Sequence, residues 1–138
     1  MRLRIFFLCL AAAGPALADP VKELPLKRGY YVSSDTPCSE ASNATLSSVT
    51  RTGISYAQAE CTISAINQTA PTRFDVTDTC VEIASGSSLG ENTTTYDIPD
   101  DRTYVFIADG APSGGSRYCA QEDLPDPWAH NDVGDFFK

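Results

Sequence analysis

The chain has 138 residues, 42 % hydrophobic and 20 % charged, with 18 acidic against 10 basic side chains and a formal net charge of −8. That length suffices for one hydrophobic core and is too short for two comfortable ones. The negative balance argues against a surface made to hold nucleic-acid phosphates or anionic lipids, and it favours solubility or a basic partner.

Arg2 and Arg4 form a short positive region, Ile5 to Ala13 (IFFLCLAAA) an apolar one, and Ala16-Leu17-Ala18 a small-residue cleavage signature. Together they read as a signal peptide over residues 1–18, with Asp19 as the first mature residue. The apolar stretch falls well short of the roughly 20 residues of a membrane-spanning helix, so no membrane anchor is expected after cleavage. Loss of two arginines takes the net charge from −8 to −10, and Cys9 leaves with the peptide.

Residues 19–120 form the expected folded domain. Asp19 to Lys27 (DPVKELPLK) is an extended lead-in with two prolines, and Gly29-Tyr30-Tyr31-Val32 a short strand. Thr36-Pro37 turns the chain, and Pro37 to Ser42 fits one helical turn, since proline is favoured at a first helical position. Asn43, Thr45, Ser47, Ser48 and Thr50 are poor helix formers and do not extend it.

Further on, apolar residues recur at period two. Ala59, Cys61, Ile63 and Ala65 alternate with Glu60, Thr62 and Ser64, placing Cys61 on a buried face. Phe74, Val76 and Cys80 share one phase while Val81 and Ile83 take the other, which predicts a bulge near Asp78. Ser85 to Ser88 and Gly90 to Asn92 read as loop. Thr93–Ile98 and Thr103–Ala108 read as strands around a Pro99–Arg102 turn, the second strand buried on both faces. Gly110 to Ser116 reads as a loop leading into Arg117-Tyr118-Cys119. These short strands with regular turn signals predict an all-β fold, a small antiparallel meander closing into a barrel or sandwich. Residues 121–138 hold acids, two prolines and no strand pattern. They read as a tail that is either solvated or docked, on the domain or on a partner, through Trp128, Phe136 and Phe137.

Cys38, Cys61, Cys80 and Cys119 are an even set in an export context, so two disulfides are expected. Three pairings are possible. Cys61–Cys80, linking neighbouring strands, and Cys38–Cys119, linking the first and last parts of the fold, are preferred. There is no CxxC pair, and His130, the single histidine, sits in the tail, so neither a metal site nor a nucleophile–histidine pair is expected. Asp75 with Asp78, or Asp100 with Asp101, could supply the two acids of a small carboxylate-dependent hydrolase. The first pair lies three apart on a strand and should face opposite sides, and the second sits in a turn that favours aspartate for local bonding. No calcium-loop or phosphate-cradle spacing is present and no cofactor is implied.

Gly29 to Val32, Thr36-Pro37-Cys38, Ser42 to Leu46, Cys61, Cys80 and Tyr118-Cys119 resemble the pattern of small exported four-cysteine proteins of unknown function from Proteobacteria. That resemblance covers residues 24–120 and implies no activity. Ser113-Gly114-Gly115-Ser116-Arg117-Tyr118 is similar, with the glycine spacing displaced by one, to the SGxGxRY-type loop by which inhibitors of C-type lysozyme plug the enzyme's cleft. It implies binding through Ser113, Gly114, Gly115, Ser116, Arg117 and Tyr118, and an anionic inhibitor suits a basic enzyme. The sequence thus points to a periplasmic or secreted, non-catalytic domain that meets a protein or glycan partner in the envelope, with Arg117 and its loop as the most exposed candidate surface.

Overall fold

A computed structural model describes residues 18–138; the expected signal peptide, Ala18 apart, lies outside the described residues. The fold is all-β: β1 (Asp19–Pro20), β2 (Gly29–Ser33), β3 (Leu46–Val49), β4 (Ile54–Tyr56), β5 (Ala59–Ala70), β6 (Arg73–Glu82), β7 (Ser88–Asp100), β8 (Thr103–Ala108) and β9 (Ala111–Cys119), with short 3-10 turns at Cys38–Glu40, Gln121–Asp123 and Trp128–His130. Each strand from β2 to β9 pairs antiparallel with the next, and β9 pairs back onto β2, with Tyr30 opposite Cys119 and Val32 opposite Arg117. The result is a closed eight-stranded up-and-down barrel. β1 adds two pairs to the far end of β5, beyond the stretch that β4 covers.

The inward faces follow from strand alternation. Tyr31, Val49, Ile54, Ile66, Phe74, Val76, Tyr96, Ile98 and Tyr104 form the barrel core. Three of its rings pack at centroid distances of 5.5 Å (Tyr31 with Tyr104) and 5.6 Å (Tyr96 with Tyr104), spacings favourable for aromatic pairs. The lead-in 21–28 plugs one end. Leu26 is buried in the core, Leu24 packs beside it, the Lys27 N–H donates to Asp101 O at 2.7 Å, and the Tyr31 hydroxyl reaches Lys27 O at 2.8 Å. Lys27 Nζ also sits 4.1 Å from the centre of the Tyr118 ring.

A second cluster lies outside the barrel. Tyr30, Val32, Ala41, Cys119 and Leu124 are buried beneath the C-terminal segment, with Trp128, Val133 and Phe137 packed against them. Phe137 meets Tyr30 edge-on at 5.1 Å, and the Gln121 side-chain amide donates to the carbonyls of Trp128 (2.9 Å) and Asn131 (2.7 Å). Phe136 stays 53 % exposed.

Both disulfides are present, Cys38–Cys119 between the first 3-10 turn and the end of β9, and Cys61–Cys80 between directly opposed residues of β5 and β6. Two such bonds place the fold in an oxidising compartment. Among the described residues no helix is long and apolar enough to cross a membrane.

Several strand expectations need correction. Gly110 to Ser116 is not a loop. Asp109 (φ 51°) and Gly110 (φ 77°) make a two-residue turn in the left-handed region, so Ala111 already pairs with Ala108 and β9 runs on from there. Gly115 is explained by fit, since a Cβ there would lie 2.6 Å from Tyr104 O, and Gly114 by its φ of 142°. Gly90 to Asn92 likewise belongs to β7, opposite Cys80 to Asp78. The polar segment 46–56 supplies β3 and β4, which the sequence left unassigned. The bulge near Asp78 lies on the facing strand, at Ser64 between the Ile63–Asp78 and Ala65–Thr77 pairs. It reverses the phase of β5, so Ile66 faces inward and Ala65 is exposed. On β8, Val105 and Ile107 are half-covered rather than buried, because only the barrel side of that strand has core against it.

Candidate functional site

Opposite the plugged end, the ends of β2, β4, β6 and β8 and the starts of β3, β5, β7 and β9 form an open mouth. One lobe, a cavity of about 440 Å³, is lined by Ser33, Ser47, Tyr56, Phe106 and Ser116, with Asp35 and Ser113 to Gly115 on its rim. A second lobe of about 250 Å³ is lined by Tyr56, Asp78, Asn92, Thr94 and Tyr96 and by the Cys61–Cys80 disulfide. Tyr56 belongs to both. Below them Tyr104 is fully buried, its hydroxyl 2.8 Å from Ser47 Oγ.

Each lining group comes from the inward phase of its strand. On β6, Phe74, Val76, Asp78 and Cys80 point in, so Asp78 continues an apolar row. It is 7 % exposed, and burial raises its carboxyl above the ordinary carboxylate range. Burial likewise pushes Tyr96 up to about 12, and burial followed by the neighbouring Tyr96 raises Tyr56 further still. The charged side chains along the two lobes are Asp35 and Asp78, and no described lysine, arginine or histidine lines either.

Cys61, Asp78 and Cys80 come within 4.8 Å of one another. Both sulfurs are committed to the disulfide, so the trio is not a metal-ligand set. The two candidate acid pairs do different things. Asp75 faces outward and accepts a hydrogen bond from Thr95 Oγ1 at 2.7 Å while Asp78 faces inward; Asp100 accepts the Arg102 N–H at 2.8 Å within its turn. His130 lies near Asp126 on the surface, Nε2 to Oδ1 3.5 Å.

The six residues singled out near the end of the domain do not form one surface. Ser113 and Gly114 are exposed on the rim, Gly115 is half-buried, and Ser116 is buried against the cavity. Tyr118 packs at the plugged end, 5.8 Å from the Tyr31 ring. Arg117 is half-buried rather than exposed: Nη2 donates to Thr36 O at 2.6 Å, and Nη1 lies 2.9 Å from Cys38 Sγ. The reason is the strand itself, which sends alternate side chains to opposite faces. Sequence reasoning missed Ser47, Tyr56 and Phe106. The available signal was Asp78, a charged residue in an otherwise apolar phase.

Comparison with family models, with curated proteins and with solved structures finds no match for this chain.

Proposed function

We propose that this is an exported, periplasmic or secreted, non-catalytic binding domain whose site is the open mouth of the barrel. The observation that carries the reading is the asymmetry of the two ends. One is plugged by Leu24 and Leu26, and the other opens on a cavity of about 440 Å³ lined by hydroxyls and aromatic rings. Eight-stranded barrels have an interior wide enough for one small ligand, and barrel mouths are common ligand sites. Asp75 faces away from Asp78 and is held by Thr95, and Asp100 is held within its own turn, so neither pair presents two acids to one site, which favours binding over hydrolysis.

The test is a backbone-amide NMR titration of the oxidised protein with a small-molecule fragment set. Binders should move the signals of Ser47, Tyr56, Phe106 and Ser116, and a rim substitution, Ser113→Trp, should abolish the effect without changing the melting curve. Ligands that perturb only the outer surface would count against this reading. A lysozyme-inhibitor role has less support, since Arg117 is drawn back onto Thr36; inhibition of C-type lysozyme by micromolar protein would restore it.

A further inference from the structure

Asp78 is a carboxylate whose placement the fold does not explain. Other aspartates of these strands are accounted for: Asp75 accepts from Thr95 (2.7 Å), Asp97 from Thr72 (2.6 Å), and Asp100 from the Arg102 N–H (2.8 Å). Asp78 is only 7 % exposed, no N–H or O–H of the described residues donates to it, and its carboxylate opens on the smaller lobe. Its polar contact is with Cys80 Sγ, 3.7 Å from Oδ1, and that sulfur carries no proton because it is bonded to Cys61. A buried carboxylate without a donor or counter-charge is costly. A domain with so much polar surface could carry the charge elsewhere.

The surroundings indicate what the carboxylate is suited to meet. Asp78 lines the smaller lobe together with Tyr56 and Tyr96, and the second charged group of the mouth, Asp35, is also acidic. With no basic side chain along either lobe, an anion would meet repulsion and no partner. An alkylammonium would meet a carboxylate with free acceptor capacity, the half-buried Tyr56 ring where the two lobes join, and an adjoining lobe bearing Phe106 for its apolar part.

Resting on the reading of the mouth as the binding site, we propose that its ligand is a small organic cation, whose ammonium nitrogen sits at Asp78 beside Tyr56 and whose apolar remainder extends toward Phe106. A simple metal ion would leave the aromatic walls and the larger lobe unused.

The experiment is calorimetric titration of the disulfide-bonded protein with hexylammonium, hexanol and hexanoate, which share one tail and differ in head-group charge, with amide NMR to locate binding. Hexylammonium should bind at least about tenfold more tightly than hexanol, a difference of about 1.4 kcal/mol, and hexanoate should bind more weakly than either. Asp78→Asn, checked for an intact melting transition, should bring hexylammonium down to the affinity of hexanol. Equal binding of hexylammonium and hexanol, preference for hexanoate, or an unchanged ammonium affinity in Asp78→Asn would each overturn the inference. If hexanol or hexanoate still moves Phe106 and Ser116, the mouth remains a binding site and only its cation preference falls. If none of the three binds, both readings fall.

Discussion

The hydroxyl of Tyr104 on β8 and Oγ of Ser47 on β3 lie 2.8 Å apart inside the barrel, both residues buried. Their strands are not neighbours, so this bond spans the interior and links the tyrosine core to the floor of the mouth. Tyr104→Phe should cost about 1 kcal/mol, because it leaves the Ser47 hydroxyl without this partner. Tyr104→Ala should cost about 3–5 kcal/mol through the cavity it opens among Tyr31, Tyr96 and Phe106. Urea unfolding of the two variants checks both figures, and equal losses would mean that the ring contributes nothing beyond its hydroxyl.

Alkali should unfold the domain. Burial holds Tyr31, Tyr56, Tyr96 and Tyr104 neutral above the ordinary tyrosine range. The unfolded chain ionises near pH 10. A raised folded pKa gives stability that is complete below the unfolded value and is lost as pH rises toward the folded one. Unfolding should therefore set in above about pH 10, with the near-ultraviolet tyrosinate band rising together with loss of β-structure. Titration of these tyrosines before any structural change would show that they are not enclosed.

Asp78 follows the same sign rule at the acidic end. Its carboxyl is raised by burial, so the stability linked to it is complete below the unfolded carboxylate value of about 3.9 and declines as pH rises through the folded value. Asp78→Asn should melt higher than the parent at neutral pH, and the gap should close on acidification. Melting curves across that range decide it; a gap independent of pH would place the effect in packing and not in charge.

The two disulfides should contribute unequally. Cys38–Cys119 closes a separation of 81 residues and Cys61–Cys80 one of 19. On the chain-entropy account the longer closure stabilises by about 4.5 kcal/mol and the shorter by about 3 kcal/mol. Paired Cys→Ala replacements measured by denaturant unfolding test that order, and thiol titration of the denatured parent should find no free thiol among these four cysteines.

The C-terminal segment should behave as part of the fold. Phe137 packs edge-on against Tyr30 at 5.1 Å. Phe137→Ala should cost about 1–3 kcal/mol, while Phe136→Ala, at an exposed position, should stay within about 0.5 kcal/mol. Comparable losses from both would mean that Phe136 also has a buried role.

The strands rich in β-branched and aromatic residues were readable, and so was the pairing of the four cysteines, because Cys61 and Cys80 fall in the inward phases of adjacent strands. Segments whose partners are distant were not. Leu46-Ser47-Ser48-Val49 has little local β-propensity and becomes a strand because the closed barrel offers hydrogen-bond partners on both sides. Asp109-Gly110 was a legible hairpin signal, but the glycines and serines after it outweighed it in a local reading. The site itself was the least legible part. Ser47, Tyr56, Asp78 and Phe106 lie on four strands, and only ring closure brings them to one opening.

The ring is joined where β2 meets β9, the first barrel strand pairing with the last. No subset of strands can complete that seam, and the contacts across it reach over most of the domain. Folding should accordingly be slow for a chain of this size, in the millisecond-to-second range of barrels dominated by distant pairings. It should also proceed with a late, all-or-none closing step, so that before the seam is made β2 and β9 remain two open edges able to recruit another chain.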